Sequence, residues 1–290
     1  MGVDAGDGHT IALPEEVTNP FVFNSPHSGR VYPQAFLDQS LLNTAEIRKS
    51  EDYCVDLLIE DTLDLGSPVM LAHFPRAYLD VNREPYELDQ RMFRDRLPPY
   101  TNMRSVRVAG GLGTIARVVA ESREIYRSPL SLEEAFDRIE LLYRPYHDAL
   151  RKLLARTHVT FGKSVLVDCH SMPSTVRSGP GTPKADIIIG DRYGTSCSPD
   201  ISHCLLDLFR ARGYSVARNK PYAGGFITEH YGRPARGLHS VQIEINRGLY
   251  MDEKKLKLTP GFDRLRRDLA DVFSDLIDHA DCTPDAIAAE

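Results

Sequence analysis

The chain is short of cysteine, of positive charge and of long apolar runs, and each shortage removes a class of function. Its five cysteines, Cys54, Cys169, Cys197, Cys204 and Cys282, are odd in number and show no CxxC spacing. Such a set builds neither a disulfide framework nor a cysteine zinc knuckle, and reduced cytosolic thiols are the expectation. Lys and Arg number 35 against 41 Asp and Glu, a net charge of −6. Nucleic-acid surfaces carry a basic excess or stripe, so no nucleic-acid partner is expected. No stretch approaches the ~18 unbroken apolar residues of a membrane helix, so no membrane partner is expected either. The opening MGVDAGDGHT has neither a basic n-region nor an apolar h-region, which reads as no secretory signal. Repeats, low-complexity tracts and a convincing linker are missing too. What is left is a cytoplasmic globule whose 42% hydrophobic content can fill a core. Nothing in the sequence speaks to its oligomeric state.

Along the chain, residues 1–15 read as a flexible N-terminal tail and residues 16–290 as one α/β domain. FVFNS is a short apolar strand running into a Pro/Gly turn that holds His27. A helix is predicted from Thr44 to about Leu65, then strands at SPVMLAHF and RAYLDV. Asn82 to Gly113 is irregular and predicted to lie over something. Ser131-Leu-Glu-Glu134 has the form of a capping box, and helical periodicity follows it to near Thr157. SVLVD and DIIIG are continuous apolar runs, as central strands covered on both faces require. A helix over Pro199–Arg212, a strand over Tyr214–Ala217, the strand VQIEI and a closing helix over Phe262–His279 complete the alternation. Strands alternating with helices predict a mostly parallel or mixed sheet sandwiched by helices.

Functional groups of open α/β sheets gather at the carboxyl ends of the strands. His27 follows FVFNS, His170 follows SVLVD in DCHS, and Glu244 lies near the end of VQIEI. Neutral imidazoles held at strand ends suit zinc, whose catalytic sites take three protein ligands and keep one open position. The third ligand would be a carboxylate of KSEDY, Glu51 or Asp52. Asp168 lies two residues before His170 on the same side of the strand, where it would either orient the imidazole or merely cap a turn. Glu244 has two readings, and alternation alone slightly favours the second. It is a proton-transfer group in a cleft, or it shares with Gln242 the solvent face of an edge strand. Arg76, Arg83 and Arg247 flank predicted strands and would bind an acidic substrate, and Asn82-Arg83 offers adjacent donors. GGLG at Gly110–Gly113 lacks the Lys-Ser/Thr of a P-loop and is read as a cover loop. His203 reads as helical, and His9, His147, His158 and His279 as surface positions. Ser171 and Ser25 lack the GxSxG context of a nucleophile elbow.

Taken together and in order, SPHSG, the SEDY region, YLDVNREP, LVDCHS, GGFITEHYG and SVQIEINRGLYM resemble the N-formylglutamate amidohydrolase family, related to the zinc carboxypeptidase-like hydrolases. The resemblance spans Phe21 to about Met251. It implies a phosphorylase/hydrolase-like three-layer α/β/α sandwich around a mixed, mostly parallel sheet, with one zinc ion. The implied ligands are His27, a carboxylate of SEDY with Asp52 preferred to Glu51, and His170. Glu244 matches the catalytic glutamate, Arg76 an oxyanion-stabilising arginine, and Asn82-Arg83 a clamp for a substrate carboxylate. His230 and Tyr231 are expected to border the pocket. The implied substrate is a small acidic N-acyl amino acid, foremost N-formylglutamate. The alternatives are a zinc carboxypeptidase or amidase acting on peptides or cell-wall fragments, and a non-catalytic ligand-binding protein on the same fold.

Overall fold

Runs of Val, Ile and Phe build the strands. In the computed structural model, which describes residues 8–119, 122–177, 179 and 181–282, these are β1 (His9–Ala12), β2 (Phe21–Ser25), β3 (Val69–Ala72), β4 (Val118–Val119), β5 (Arg123–Glu124), β6 (Ser164–Met172), β7 (Ile187–Gly190), β8 (Val216–Arg218), β9 (Leu238–Asn246), β10 (Met251–Asp252) and β11 (Lys257–Leu258). Seven form one sheet in the order β1-β3-β2-β6-β9-β7-β8, while β4–β5 and β10–β11 are separate ribbons. The strands β3, β2, β6 and β9 are mutually parallel. At the two edges, β1 runs antiparallel to β3 and β7 antiparallel to β9, with β8 parallel to β7. The sheet is mixed and mostly parallel.

Side chains alternate across its two faces. Phe21, Phe23, Val165, Val167, Cys169, Val241, Ile243 and Ile245 pack with the helices Pro199–Ala211 and Gly261–Cys282 into one apolar layer. Val22, Met70 and Leu166 pack on the other side with Ile139, Tyr143, Tyr146 and Leu150 of the long helical stretch. That gives three layers, α/β/α. Full burial of each such side chain stabilises the fold by ~1.5–3 kcal/mol, so both layers hold the sheet firmly.

The long stretch begins at Leu132, where Ser131 Oγ accepts from the backbone N–H of Glu134 at 3.1 Å. The capping box is only half made, because the Glu134 carboxylate turns to Arg138 instead. Leu132–Arg138 passes through a π-turn at Ile139–Tyr143 into Arg144–Phe161. Pro145, with no N–H to give, follows directly, as a local change in the hydrogen-bond ladder requires. The helix ends where Gly162 takes φ of 75°.

Four expectations are corrected. The tail prediction fails from His9 onward, because His9–Ala12 pairs with β3 from His9↔Ala72 to Ala12↔Val69; Gly and Asp around it hid an edge strand. Residues 1–7 lie outside the described residues. The Thr44–Leu65 helix is broken into helical turns at Thr44–Ile47, Arg48–Ser50, Val55–Leu58 and Glu60–Leu63. Glu51 is extended at ψ 145° and Cys54 is left-handed at φ 56°, because the intervening backbone bonds elsewhere. RAYLDV forms turns rather than a strand; its polar groups are drawn into the site described next. Finally, the strand predicted over Tyr214–Ala217 is Val216–Arg218. Among the described residues no helix is long and apolar enough to cross a membrane. Cys54, Cys169, Cys197 and Cys204 are free thiols.

Candidate metal centre

The carboxyl ends of β2, β3, β6 and β9 open on one cavity of about 670 Å³. The Val22/Leu166 face continues into Asn24 on β2, Asp168 and His170 on β6, and Gln242 and Glu244 on β9; of these His170, Gln242 and Glu244 line the cavity. Register sets His170 directly opposite Glu244. On the facing side of the cavity stand the turns after β3, carrying Arg76, Asp80, Asn82 and Arg83, and the irregular cover, carrying Arg107 and Leu112.

His27 and Asp52 are tied together through their backbones. The Asp52 N–H donates to the His27 carbonyl at 3.0 Å, and the Ser28 hydroxyl donates to the Asp52 carbonyl at 2.9 Å. These bonds are what interrupt the predicted helix. Gly29 of SPHSG is needed here for close approach: a Cβ on it would lie 2.2 Å from the Phe74 carbonyl oxygen.

His27, Asp52 and His170 each direct one ligand atom into a common space, all within 4.8 Å of one another, and all three are buried. Nε2 of His27 lies 2.8 Å from Asp80 Oδ1, and Nε2 of His170 lies 2.8 Å from Asp168 Oδ2. Asp80 is held well below the usual carboxylate range: burial opposes its charge, but Arg83, His27 and Arg76 outweigh it. Carboxylates only accept, so both Nε2 atoms carry hydrogen and both Nδ1 atoms of neutral rings bear lone pairs. Those lone pairs face Asp52 Oδ2, at 2.9 Å from His170 and 3.4 Å from His27. Among the described residues His27 Nδ1 has no hydrogen-bond partner despite being buried. Three acceptors converging in this way are an arrangement that a cation between them would satisfy. Two imidazoles oriented by carboxylates plus one aspartate is a donor set that zinc accepts. Without such an ion the His170 ring itself holds the proton: burial lowers its pKa, but Asp168 and Asp52 overcome this and raise it well above the ordinary value.

Glu51 is not part of this group. Its carboxylate accepts from Arg48 at 2.9 and 3.2 Å and from the Tyr32 hydroxyl at 2.6 Å. Asp52 is braced instead by Arg247 at 3.1 Å and by the Ser171 hydroxyl at 3.3 Å from Oδ1. Arg247, which directly follows β9, thus braces Asp52 rather than standing free for an acidic substrate.

Glu244 is 8% exposed and lines the cavity. Gln242 donates to its Oε1 at 2.7 Å, leaving the other oxygen available. Burial raises its pKa to about 7, with Asp52 adding to the rise and His170 and Arg76 opposing it. Its strand is central, between β6 and β7, so the edge-strand reading is replaced. Arg76 donates to Asp80 Oδ2 at 2.9 Å and keeps a side chain 25% exposed toward the cavity.

Arg83 donates through Nε to the Leu112 carbonyl and through NH1 to the Asn82 carbonyl, at 2.8 and 2.7 Å. Asn82 is committed elsewhere, contrary to its clamp role. Its amide oxygen accepts from Ile227 N–H at 2.8 Å, and its nitrogen faces Asp168 and His170 at 3.5 and 3.3 Å. His230 and Tyr231 also depart from expectation, since neither lines the cavity. Their helix, Phe226–Tyr231, presents its amino-terminal loop to the site and turns Tyr231 onto His147 at 2.9 Å.

His147 is no surface residue. Its Nε2 donates to the Val81 carbonyl at 2.9 Å, and one helical turn earlier Tyr143 donates to the Arg83 carbonyl at 2.7 Å. The pair grips the backbone on either side of Asn82. Asp80, Asn24 and Gln242 were also missed by sequence reasoning. Asp80 lies inside YLDVNREP between two arginines, and that flanking charge was a usable signal; Asn24, which donates to Asp168 at 2.7 Å, had none.

Residues 19–251 match the N-formylglutamate amidohydrolase family. The chain is similar to N-formylglutamate deformylase of Pseudomonas putida, 30% identical over 237 residues, 81% of this chain and 82% of the relative. The deformylase of Pseudomonas aeruginosa is 29% identical over 238 residues, 81% and 83% of the two chains. The crystal structure of N-formylglutamate amidohydrolase from Ralstonia eutropha JMP134 superposes with a TM-score of 0.88 at 34% identity, covering 95% of this chain and 100% of that one. A gene product of Agrobacterium tumefaciens shares the fold, with a TM-score of 0.68 at 18% identity over 95% and 97% of the chains. With ordered motifs, sheet topology and family match in agreement, the chain belongs to the N-formylglutamate amidohydrolase family.

Proposed function

We propose that the protein hydrolyses the amide of N-formylglutamate, or of a closely related N-acylated acidic amino acid, with a divalent ion, best matched by zinc, held by His27, Asp52 and His170. The observation that carries the reading is the convergence of those three ligand atoms, with His27 Nδ1 orphaned, beside Glu244. An ion bound there supplies an acidified water and a Lewis acid for the amide carbonyl.

The chain's own residues do the rest. Glu244, with one oxygen held by Gln242, takes the proton of the attacking water on the other and passes it to the leaving nitrogen. A group whose pKa lies near neutrality can perform both transfers. Arg76, anchored on Asp80, directs positive charge at the oxyanion of the tetrahedral intermediate, a contribution of typically ~3–4 kcal/mol per donor. Arg83 spends two donors on carbonyls and leans on Asp80 with a third, and its remaining N–H groups meet the substrate α-carboxylate, so Arg83 rather than Asn82 is the clamp. Asp80 and Asp168 fix the tautomer of the two imidazoles. The products are formate and glutamate.

The test is formate release from N-formyl-L-glutamate before and after chelation. Turnover that is lost with the metal and restored by zinc supports the reading; turnover untouched by chelation removes the metal from it. A panel of peptides and other N-acyl amino acids separates this enzyme from a carboxypeptidase or general amidase. A pure binding protein would release no formate.

A further inference from the structure

The cavity is far more positive than its catalytic groups require. Lys49, Arg76, Arg83, Arg107, Arg192 and Arg247 line it, against only Asp80 and Glu244 among the lining carboxylates. Most of these cations are already partnered. Arg76 and Arg83 share Asp80 Oδ2 at 2.9 and 3.5 Å, Arg247 holds Asp52 at 3.1 Å, and Arg192 holds Glu229 at 2.5 Å. Two are held more loosely. Lys49 is exposed and makes no close ion pair among the described residues, only a longer-range attraction to Glu46, which Arg123 already holds. Among the described residues Arg107, 34% exposed, has only the Glu87 carboxylate as an ion-pair partner, at 3.9 Å, and burial raises the pKa of Glu87, which weakens that partner further.

Their positions are as telling as their charge. Lys49 sits in the turn Arg48–Ser50, directly before the Asp52 ligand, and its carbonyl accepts from Arg247 NH1 at 3.1 Å. Arg107 stands on the short helix Val106–Ala109 of the cover, whose Leu112 carbonyl receives Arg83 Nε at 2.8 Å. Both backbones are therefore bolted to the site, while Lys49 is exposed, Arg107 is partly exposed, and both line the cavity. A second carboxylate on a substrate held at Arg83 and the ion finds in Lys49 and Arg107 the lining cations least committed to partners among the described residues.

We propose that Lys49 and Arg107 form the receptor for the side-chain carboxylate and so select N-acylated dicarboxylic amino acids over neutral ones. This rests on the hydrolase reading above and adds the origin of its acid preference. No covalent step is involved; the selection is made through ground-state and transition-state binding alike, so it appears mainly in KM.

The experiment compares N-formyl-L-glutamate with N-formyl-L-glutamine, which differ only in that side-chain group, in the metal-loaded wild type and in Lys49→Gln, Arg107→Gln and the double variant. The ratio of kcat/KM for the acid over the amide is expected to fall ~10-fold in each single variant and further in the double, the scale of a charged hydrogen bond lost at a partly solvated site. Lys49→Arg should recover most of the ratio. In the wild type the ratio should also shrink as salt is raised, and less so in the double variant. Both side chains are exposed, and unchanged melting temperatures verify folding. A ratio unmoved in the double variant overturns this inference while leaving the hydrolase reading intact. A wild type that releases formate from neither substrate overturns the hydrolase reading itself.

Discussion

The two faces of β6 and β9 present the molecule's sharpest contrast. On one face Val165, Val167, Cys169, Val241, Ile243 and Ile245 are sealed under helices. On the other, Leu166 gives way to Asp168 and His170, and Ser240 to Gln242 and Glu244, within the same two nine-residue strands. Burial barely differs: Ile243 is 0% and Glu244 8% exposed. What differs is how each face meets the cost of leaving water. The apolar face gains from it, at roughly 25 cal/mol per Å². The polar face loses unless every group is partnered, and its partners are the site: Asp168 with His170, Gln242 with Glu244, Asp80 with His27. A single period-two alternation thus divides stability from chemistry.

Breaking the polar face should therefore cost turnover, and breaking the apolar face should cost stability. Glu244→Gln keeps shape and volume but removes the proton acceptor. Turnover of N-formyl-L-glutamate is expected to fall about 10³-fold, with metal content and melting temperature preserved. A variant that stays active would take Glu244 out of the chemistry. Ile243→Ala, one position away on the other face, should cost about 3 kcal/mol in denaturant unfolding and leave KM within a few-fold of wild type. A large KM change with little loss of stability would mean that the faces are not independent.

A subtler test uses the helix behind the site. Burial pushes His147 down to about 4 from an ordinary 6.5. The unfolded chain takes this proton near pH 6.5 and the folded chain only near pH 4. The stabilisation is thus complete above 6.5 and is lost as pH falls through that window, by up to ~3 kcal/mol. His147→Gln should flatten the acid side of the stability profile between pH 6.5 and 4. An unchanged slope would show that burial does not hold the ring neutral.

Much of this was legible in the sequence, for identifiable reasons. SVLVD and DIIIG read as central strands because a strand covered on both faces shows an unbroken apolar run. His27 and His170 read as a pair because both follow such strands. Glu244 stayed ambiguous because a buried polar row and a solvated one have the same alternation; only the position of β9 between β6 and β7 separates them. The breaks at Glu51 and Cys54 were invisible because they follow from bonds to a turn more than twenty residues away, through His27 and Ser28. RAYLDV has the composition of a strand, yet Asp80 and Asn82 are drawn off to the imidazoles. His147 looked like a surface residue because its two partners, Val81 and Tyr231, lie 66 and 84 positions away. Local pattern reports local structure well, and a site assembled across the sheet poorly.

Everything turns on whether two imidazoles and an aspartate hold one ion. Titrating the chelated protein with zinc while following bound metal should give one tight site per chain, lost in His27→Ala, in His170→Ala and in Asp52→Asn, but kept in Glu51→Gln. Zinc binding unaffected by those three substitutions, or no tight site in the wild type, would contradict the account.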